Sequence, residues 1–185
     1  MKTNLKSILR EISTIIIGIL IALFINNWNE KEKEKKYFNE ILLSIKNEIQ
    51  ETKNDIDAKL IIQKSMIDTL NFYTKADTLS LNRIMNKTNG VSIPNIRLYS
   101  WKSLSNSKIQ LLDYKDLSTL ATIEEGKELL REKSRYLMNF LYTNIAKKDE
   151  YQKMILKGLM MDIMSTEHDI LSEINKLDEG LKTSD

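Results

Sequence analysis

The chain contains one histidine, His168, set between Glu167 and Asp169. A histidine flanked by carboxylates is the kind of residue set from which a metal site or a general acid–base pair is built. Here the spacing argues against both. Neighbouring residues of a helix point about 100° apart, so these three side chains cannot converge on one ion, and His168 reads as a residue of a helix surface. The absence of cysteine removes zinc–thiolate sites, iron–sulfur clusters, disulfides and thiol nucleophiles. No G-x-x-x-x-G-K-[ST] run is present to cradle a phosphate, and no G-x-S-x-G turn to present a serine.

Small paired-helix ribonucleases carry an Arg four to six residues before a His; His168 has none in that window, and neither Arg131 nor Arg135 has a histidine at that distance after it. Many Asp and Glu residues are available, but no pair is singled out. The expectation is a protein without enzymatic activity, with no catalytic residue, no cofactor and no metal.

Binding surfaces are the better candidates. Met154, Met160, Met161 and Met164, with Ile155, Leu156 and Leu159, form an apolar patch wider than one helical stripe. Methionine-rich surfaces adapt to protein partners but also fill irregular cores, and core is the favoured reading here, with a partner surface at Met154, Met160, Met161 and Met164 as the alternative. Trp101, Tyr99 and Tyr114 are expected to plug one end of a helical hairpin. Nucleic acid is not an expected partner: 28 Lys and Arg stand against 26 Asp and Glu, and the two signs are interleaved along the chain.

Five Gly and one Pro in 185 residues favour a few long helices over many short strands. The first must lie near the N-terminus. From Ile15 to Ile25 no residue is polar, and the flanking Ser13, Thr14, Asn26 and Asn27 extend the segment to Ile12–Trp28. Seventeen helical residues cover about 25 Å, at the short end of what a bilayer core of about 30 Å requires. Arg10 and Lys6 on one side and Trp28 on the other are suited to the interfaces, so residues 12–28 are expected to be a transmembrane helix after a short tail, 1–11. The run ends Ile25-Asn26-Asn27-Trp28-Asn29-Glu30 with no small-x-small cleavage site, which argues against a removed signal peptide. Thr14, Gly18 and Ala22 recur every four residues, with Asn26 continuing the series, a small-xxx-small face that suits packing against a second copy.

These residues resemble a family of small membrane proteins of Gram-negative bacteria grouped as a domain of unknown function. Its hallmark is matched by Glu11-Ile12, Gly18-Ile19-Leu20-Ile21-Ala22-Leu23 and Ile25-Asn26-Asn27-Trp28-Asn29-Glu30. A lesser likeness lies in Trp101-Lys102-Ser103-Leu104 with Ser107, Leu111 and Leu112. The resemblance implies a single-span inner-membrane protein and no particular chemistry. Relatives with longer basic tails imply a cytoplasmic N-terminus and a periplasmic domain. The charges nearest the span, Lys2, Lys6 and Arg10 against Lys31, Lys33, Lys35 and Lys36, slightly favour the cytoplasmic alternative.

Beyond the span an all-α domain is expected over 29–178, followed by a C-terminal tail, 179–185. The alternating run Glu30–Lys36 has nothing to stop the helix, which is expected to continue over 29–74. Within it Leu42, Ile49, Ile56 and Leu70 keep heptad spacing, with Gln63 in the missing place. Loops and short helices are expected over 75–123, with turns at Asn89-Gly90 and Pro94, a helix near Trp101–Asn106, and Asp113 as an N-cap. A long helix, 127–177, is expected to fold back on the first as an antiparallel, coiled-coil-like hairpin that sets Ile49 and Ile56 against Ile145 to Leu159. The expected partners are the lipid bilayer, further copies of the chain and an unidentified protein. The leading reading is a membrane-anchored scaffold; the alternative is an oligomeric effector whose Thr14-Gly18-Ala22 faces line a pore.

Overall fold

The computed structural model describes residues 2–75 and 79–182, with side chains described over 7–75 and 79–178. The side chains of Lys2 and Lys6, counted above, and the last three residues of the expected tail lie outside the described residues. The fold is all-α, as composition predicts: α1 (Lys2–Tyr73), α2 (Leu81–Lys87), α3 (Tyr99–Ser105), a 3-10 turn (Ile109–Leu111), α4 (Tyr114–Asn144) and α5 (Glu150–Lys182). The expected tail over 1–11 is helical from Lys2, and no break follows Glu30.

The chain divides into two compact units, residues 1–43 and 44–185. The division falls beyond the expected boundary at residue 29. In the first unit every described side chain from Ser7 to Tyr37 is exposed. The first buried side chain among those described is Ile45, in the second unit.

The core of the second unit follows from three heptad patterns. From Ile45 onward, α1 buries Ile49, Ile56, Gln63 and Leu70 at one heptad position, and Ile45, Thr52 and Met66 at the other. α4 buries Asp116, Ile123, Leu130 and Leu137 together with Leu120 and Leu141. α5 buries Lys153, Met160, Glu167 and Ile174 together with Leu156, Ile163, Ile170 and Leu177. A repeat of seven keeps one seam of each helix facing its neighbours.

The single helix expected over 127–177 is two helices, α4 and α5, joined across 145–149. Continuing the α4 seam by sevens from Leu137 would place Tyr151 and Gly158 in the core, whereas the α5 seam starts from Lys153. The slip in phase cannot be absorbed by a straight helix. Asp149 marks the restart: its carboxylate accepts the Gln152 N–H at 3.0 Å, an N-cap bond.

α5 therefore runs back along α4, with Lys133 Nζ donating to Asp162 Oδ1 (2.8 Å) and Thr166 Oγ1 (2.9 Å). It is also antiparallel to α1. Lys153 Nζ reaches the Tyr73 carbonyl at 3.0 Å, Gln63 meets Glu167, and Lys53 Nζ reaches Asn175 Oδ1 at 2.7 Å. This register opposes the lower part of α1 to residues near 175, so the expected pairing of Ile49 and Ile56 with Ile145 to Leu159 is corrected by the position of the α4–α5 turn.

Because α1 and α4 run in the same direction, the chain must travel back along α1 between them. α2, which occupies part of the stretch expected to be loop between Ile84 and Pro94, docks by Leu81 N–H on the Lys147 carbonyl and Asn82 N–H on the Ile145 carbonyl, both 2.9 Å. Asn89 and Gly90 then turn the chain with positive φ values of 58° and 81°. Residues 91–98 form an extended strap, which covers about 3.3 Å per residue against 1.5 Å for a helix and so returns with few residues.

Candidate functional site

An extended segment has no helix or sheet to satisfy its backbone, so each N–H and C=O needs a partner from elsewhere. The polar face of α1 supplies several. Gln63 Nε2 donates to the Ser92 carbonyl (2.8 Å), Asp55 Oδ2 accepts the Asn95 N–H (2.7 Å), and Thr52 Oγ1 accepts the Arg97 N–H (2.9 Å). Glu48 accepts the Ser100 N–H with both carboxylate oxygens (3.1 Å each) and the Ser100 hydroxyl with Oε1 (2.8 Å). Arg97 adds an ion pair to Glu51 at 3.2 Å. Helical positions 48, 52, 55 and 63 are thus read in reverse order by 100, 97, 95 and 92.

At the upper end of this ladder lies a buried polar pair. Gln63 is 1% exposed and Glu167 fully buried, and Gln63 Nε2 donates to Glu167 Oε1 at 2.7 Å. Both N–H bonds of the amide are thereby used. Gln63 Oε1 and Glu167 Oε2 are buried with no hydrogen-bond partner among the described residues. Burial pushes the Glu167 carboxyl up from 4.5 to about 7; the Gln63 N–H and neighbouring His168 pull it down, while Asp55 adds to the rise. Asp116, at the start of α4, is also raised, by burial first and then by Asp113.

His168 itself is exposed, with Nδ1 2.7 Å from the Met164 carbonyl. Among the described residues no three His, Asp or Glu side chains gather as a metal site requires. The methionine patch divides. Met154 and Met161 are exposed on one face of α5, Met164 is half-buried, and Met160 is a core residue, which corrects its assignment to a partner surface. Of the aromatic cluster, Trp101 is buried and donates from Nε1 to Glu124 Oε2 (2.8 Å), but Tyr99 and Tyr114 face outward.

In the first unit, Thr14, Gly18, Ala22 and Asn26 are all exposed, and nothing lies within 4 Å of where a Gly18 Cβ would be. Thr14 Oγ1 donates to the Arg10 carbonyl (2.9 Å), which satisfies the hydroxyl within its own helix. Arg10 and Trp28 are exposed at the two ends of the apolar stretch, and Asn26 Nδ2 donates to Glu30 Oε1 at 3.2 Å. This helix is long and apolar enough to cross a membrane.

Comparison with known families decides the relationship. A model of a family of unknown function, DUF6090, matches residues 11–122. The chain belongs to this family. The match runs from Glu11 at the head of the apolar segment through α1, the strap and α3 into α4, so it includes Glu48, Thr52, Asp55 and Gln63 with their backbone partners. Glu167 and Lys153 lie outside the matched residues. No curated protein and no solved structure matches the chain.

Sequence reasoning identified Gln63 as a polar residue in an apolar seam but missed Glu167 and Lys153. The signal was present: 153, 160, 167 and 174 step by seven, and two of those four positions carry charge.

Proposed function

We propose that the chain is a single-span protein of a bacterial inner membrane whose helical domain is a non-enzymatic scaffold for further copies of itself or a protein partner. The observation that carries this reading is the exposure of the apolar segment: its large side chains are exposed, from Ile12 at 50% to Phe24 at 69%. A helix apolar on all sides is favourable in hydrocarbon and costly in water. Arg10 and Trp28 are the interfacial anchors, and Thr14, Gly18 and Ala22 form the face for self-association. The domain is assigned to the periplasm from the resemblance to proteins with longer basic tails.

Membranes carrying the full chain should retain it through an alkaline carbonate wash, while Ile17→Lys with Leu20→Lys should release it. Recovery of the unaltered chain in the wash overturns the anchor. Alkaline phosphatase joined after Asp185 should be active, and a stable inactive fusion rejects the periplasmic placement. Liposomes carrying the protein should stay impermeable to small dyes; ion conduction that is lost in Gly18→Leu would favour a pore.

A further inference from the structure

The Gln63–Glu167 pair is left with two unsatisfied oxygens, and the identity of its neighbours limits how they are resolved. The Ser92 carbonyl can only accept, so the Gln63 atom facing it must be the nitrogen, and the amide orientation is set by chemistry. Its second N–H goes to Glu167 Oε1. Among the described residues Gln63 Oε1 then lacks a donor, and an ionised Glu167 Oε2 would be a charged oxygen in the core with no donor of its own. A single proton on Oε2 removes both defects, because it neutralises the acid and supplies the donor that Gln63 Oε1 requires.

We propose that Glu167 and Gln63 form a neutral acid–amide clasp, with the proton on Glu167 Oε2 donated to Gln63 Oε1, and that its loss to solvent as pH rises weakens the packing of α1 on α5. Burial outweighs the charges around the clasp. From α1, Asp55 adds a like charge that opposes ionisation; on α5, the adjacent His168 favours it, but by less than burial disfavours it. From α4, Lys133 Nζ is already held by Asp162 and Thr166. The strap contributes the Ser92 carbonyl, and its Arg97 is paired to Glu51.

The sign follows from linkage. A carboxyl at about 7 in the folded chain and near 4.5 when unfolded binds its proton more tightly in the folded state. Its contribution is fully present below the unfolded value and is lost as pH rises through the folded one. The unfolding equilibrium constant should rise about tenfold per pH unit across that window, then level off.

The test is urea unfolding of the full chain in detergent micelles between pH 4.5 and 8.5, beside Glu167→Gln, with infrared spectra of the acid carbonyl. The unaltered chain should lose stability relative to Glu167→Gln by about two orders of magnitude in the unfolding constant, and its acid carbonyl band should bleach around pH 7, where the folded-state carboxyl titrates and the stability change levels off. Gln63→Leu should move that band to the higher frequency of an acid with no acceptor. A pH-independent difference from Glu167→Gln overturns the clasp. Should Glu167→Gln fail to fold, the infrared result decides: no acid band at pH 5.5, or a band unmoved by Gln63→Leu, also overturns it.

Discussion

Gly126 of α4 faces Ile170 of α5 so closely that a Cβ on the glycine would stand 2.8 Å from the isoleucine Cγ1 and 3.3 Å from its Cδ1. Ile170 is itself buried, so it has little room to withdraw. Gly126→Val should therefore destabilise the domain by about 1–3 kcal/mol through overpacking. Gly158, on the exposed face of α5 with nothing within 4 Å, provides the contrast. Gly158→Ala should stabilise by about 0.5–1 kcal/mol, the gain in backbone entropy of a helix interior. Urea midpoints of the full chain in micelles check both, and equal shifts in the two variants would show that the α4–α5 crossing does not depend on Gly126.

Ile49 and Ile56 are each almost wholly buried in the α1 seam. Truncation of either to Ala should cost about 2–5 kcal/mol, the removal of buried methyl groups plus the cavity left behind. The same change at Ile61, which is 73% exposed, should have an effect within about 0.5 kcal/mol. Unfolding of either seam variant at the parent's midpoint, with unchanged slope, would sink this account of the core.

Glu48 acts at the start of a helix to which it does not belong. Leu98, the N-cap of α3, offers no side-chain bond, and Glu48 takes its place by accepting the Ser100 N–H. Glu48→Ala should cost about 0.5–2 kcal/mol, as for loss of a capping residue. Glu48→Gln retains an acceptor and should lose less. Amide exchange at Ser100 should quicken more in the alanine variant than in the glutamine one; equal protection in both would remove Glu48 from this role.

How far the sequence foretold these features depended on whether they lie along one helix or between elements. Ile49, Ile56, Gln63 and Leu70 of the α1 seam were legible, because a repeat of seven is a local property of the chain, but Leu42, placed with them, is only half-buried, and the buried Thr52 and Met66 of the second heptad position were not read. The restart at Asp149 was also local, but it was visible only as a slip in phase between Leu137 and Lys153. Met154, Met160 and Met161 could not be sorted by type: one step along a helix turns a side chain by about 100°, so the α5 register had to be known first. The strap was less accessible still. Its extended backbone is stable because Thr52, Asp55 and Gln63 receive it, and nothing within residues 91–98 specifies those partners.

Lys153 carries the last prediction. It is fully buried in the α5 seam, and its Nζ donates to the carbonyl of Tyr73, the final residue of α1, at 3.0 Å. The last carbonyls of a helix lack intrahelical donors and carry the negative end of its dipole, so a buried ammonium there satisfies an orphan acceptor and a partial charge together. Lys153→Met keeps the length of the stem but removes the ammonium. It should cost about 1.5–3 kcal/mol, the range for a hydrogen bond to a charged group. Lys153→Ala also opens a cavity in the buried seam and should cost more, about 2–5 kcal/mol. Fraying should be local as well: in Lys153→Met, amides in the last turn of α1 should exchange faster while those around Ile49 change only with the global loss. A methionine variant that unfolds at the parent's midpoint, with the last turn of α1 equally protected, would show that the stem, and not the charge, holds α5 against the end of α1.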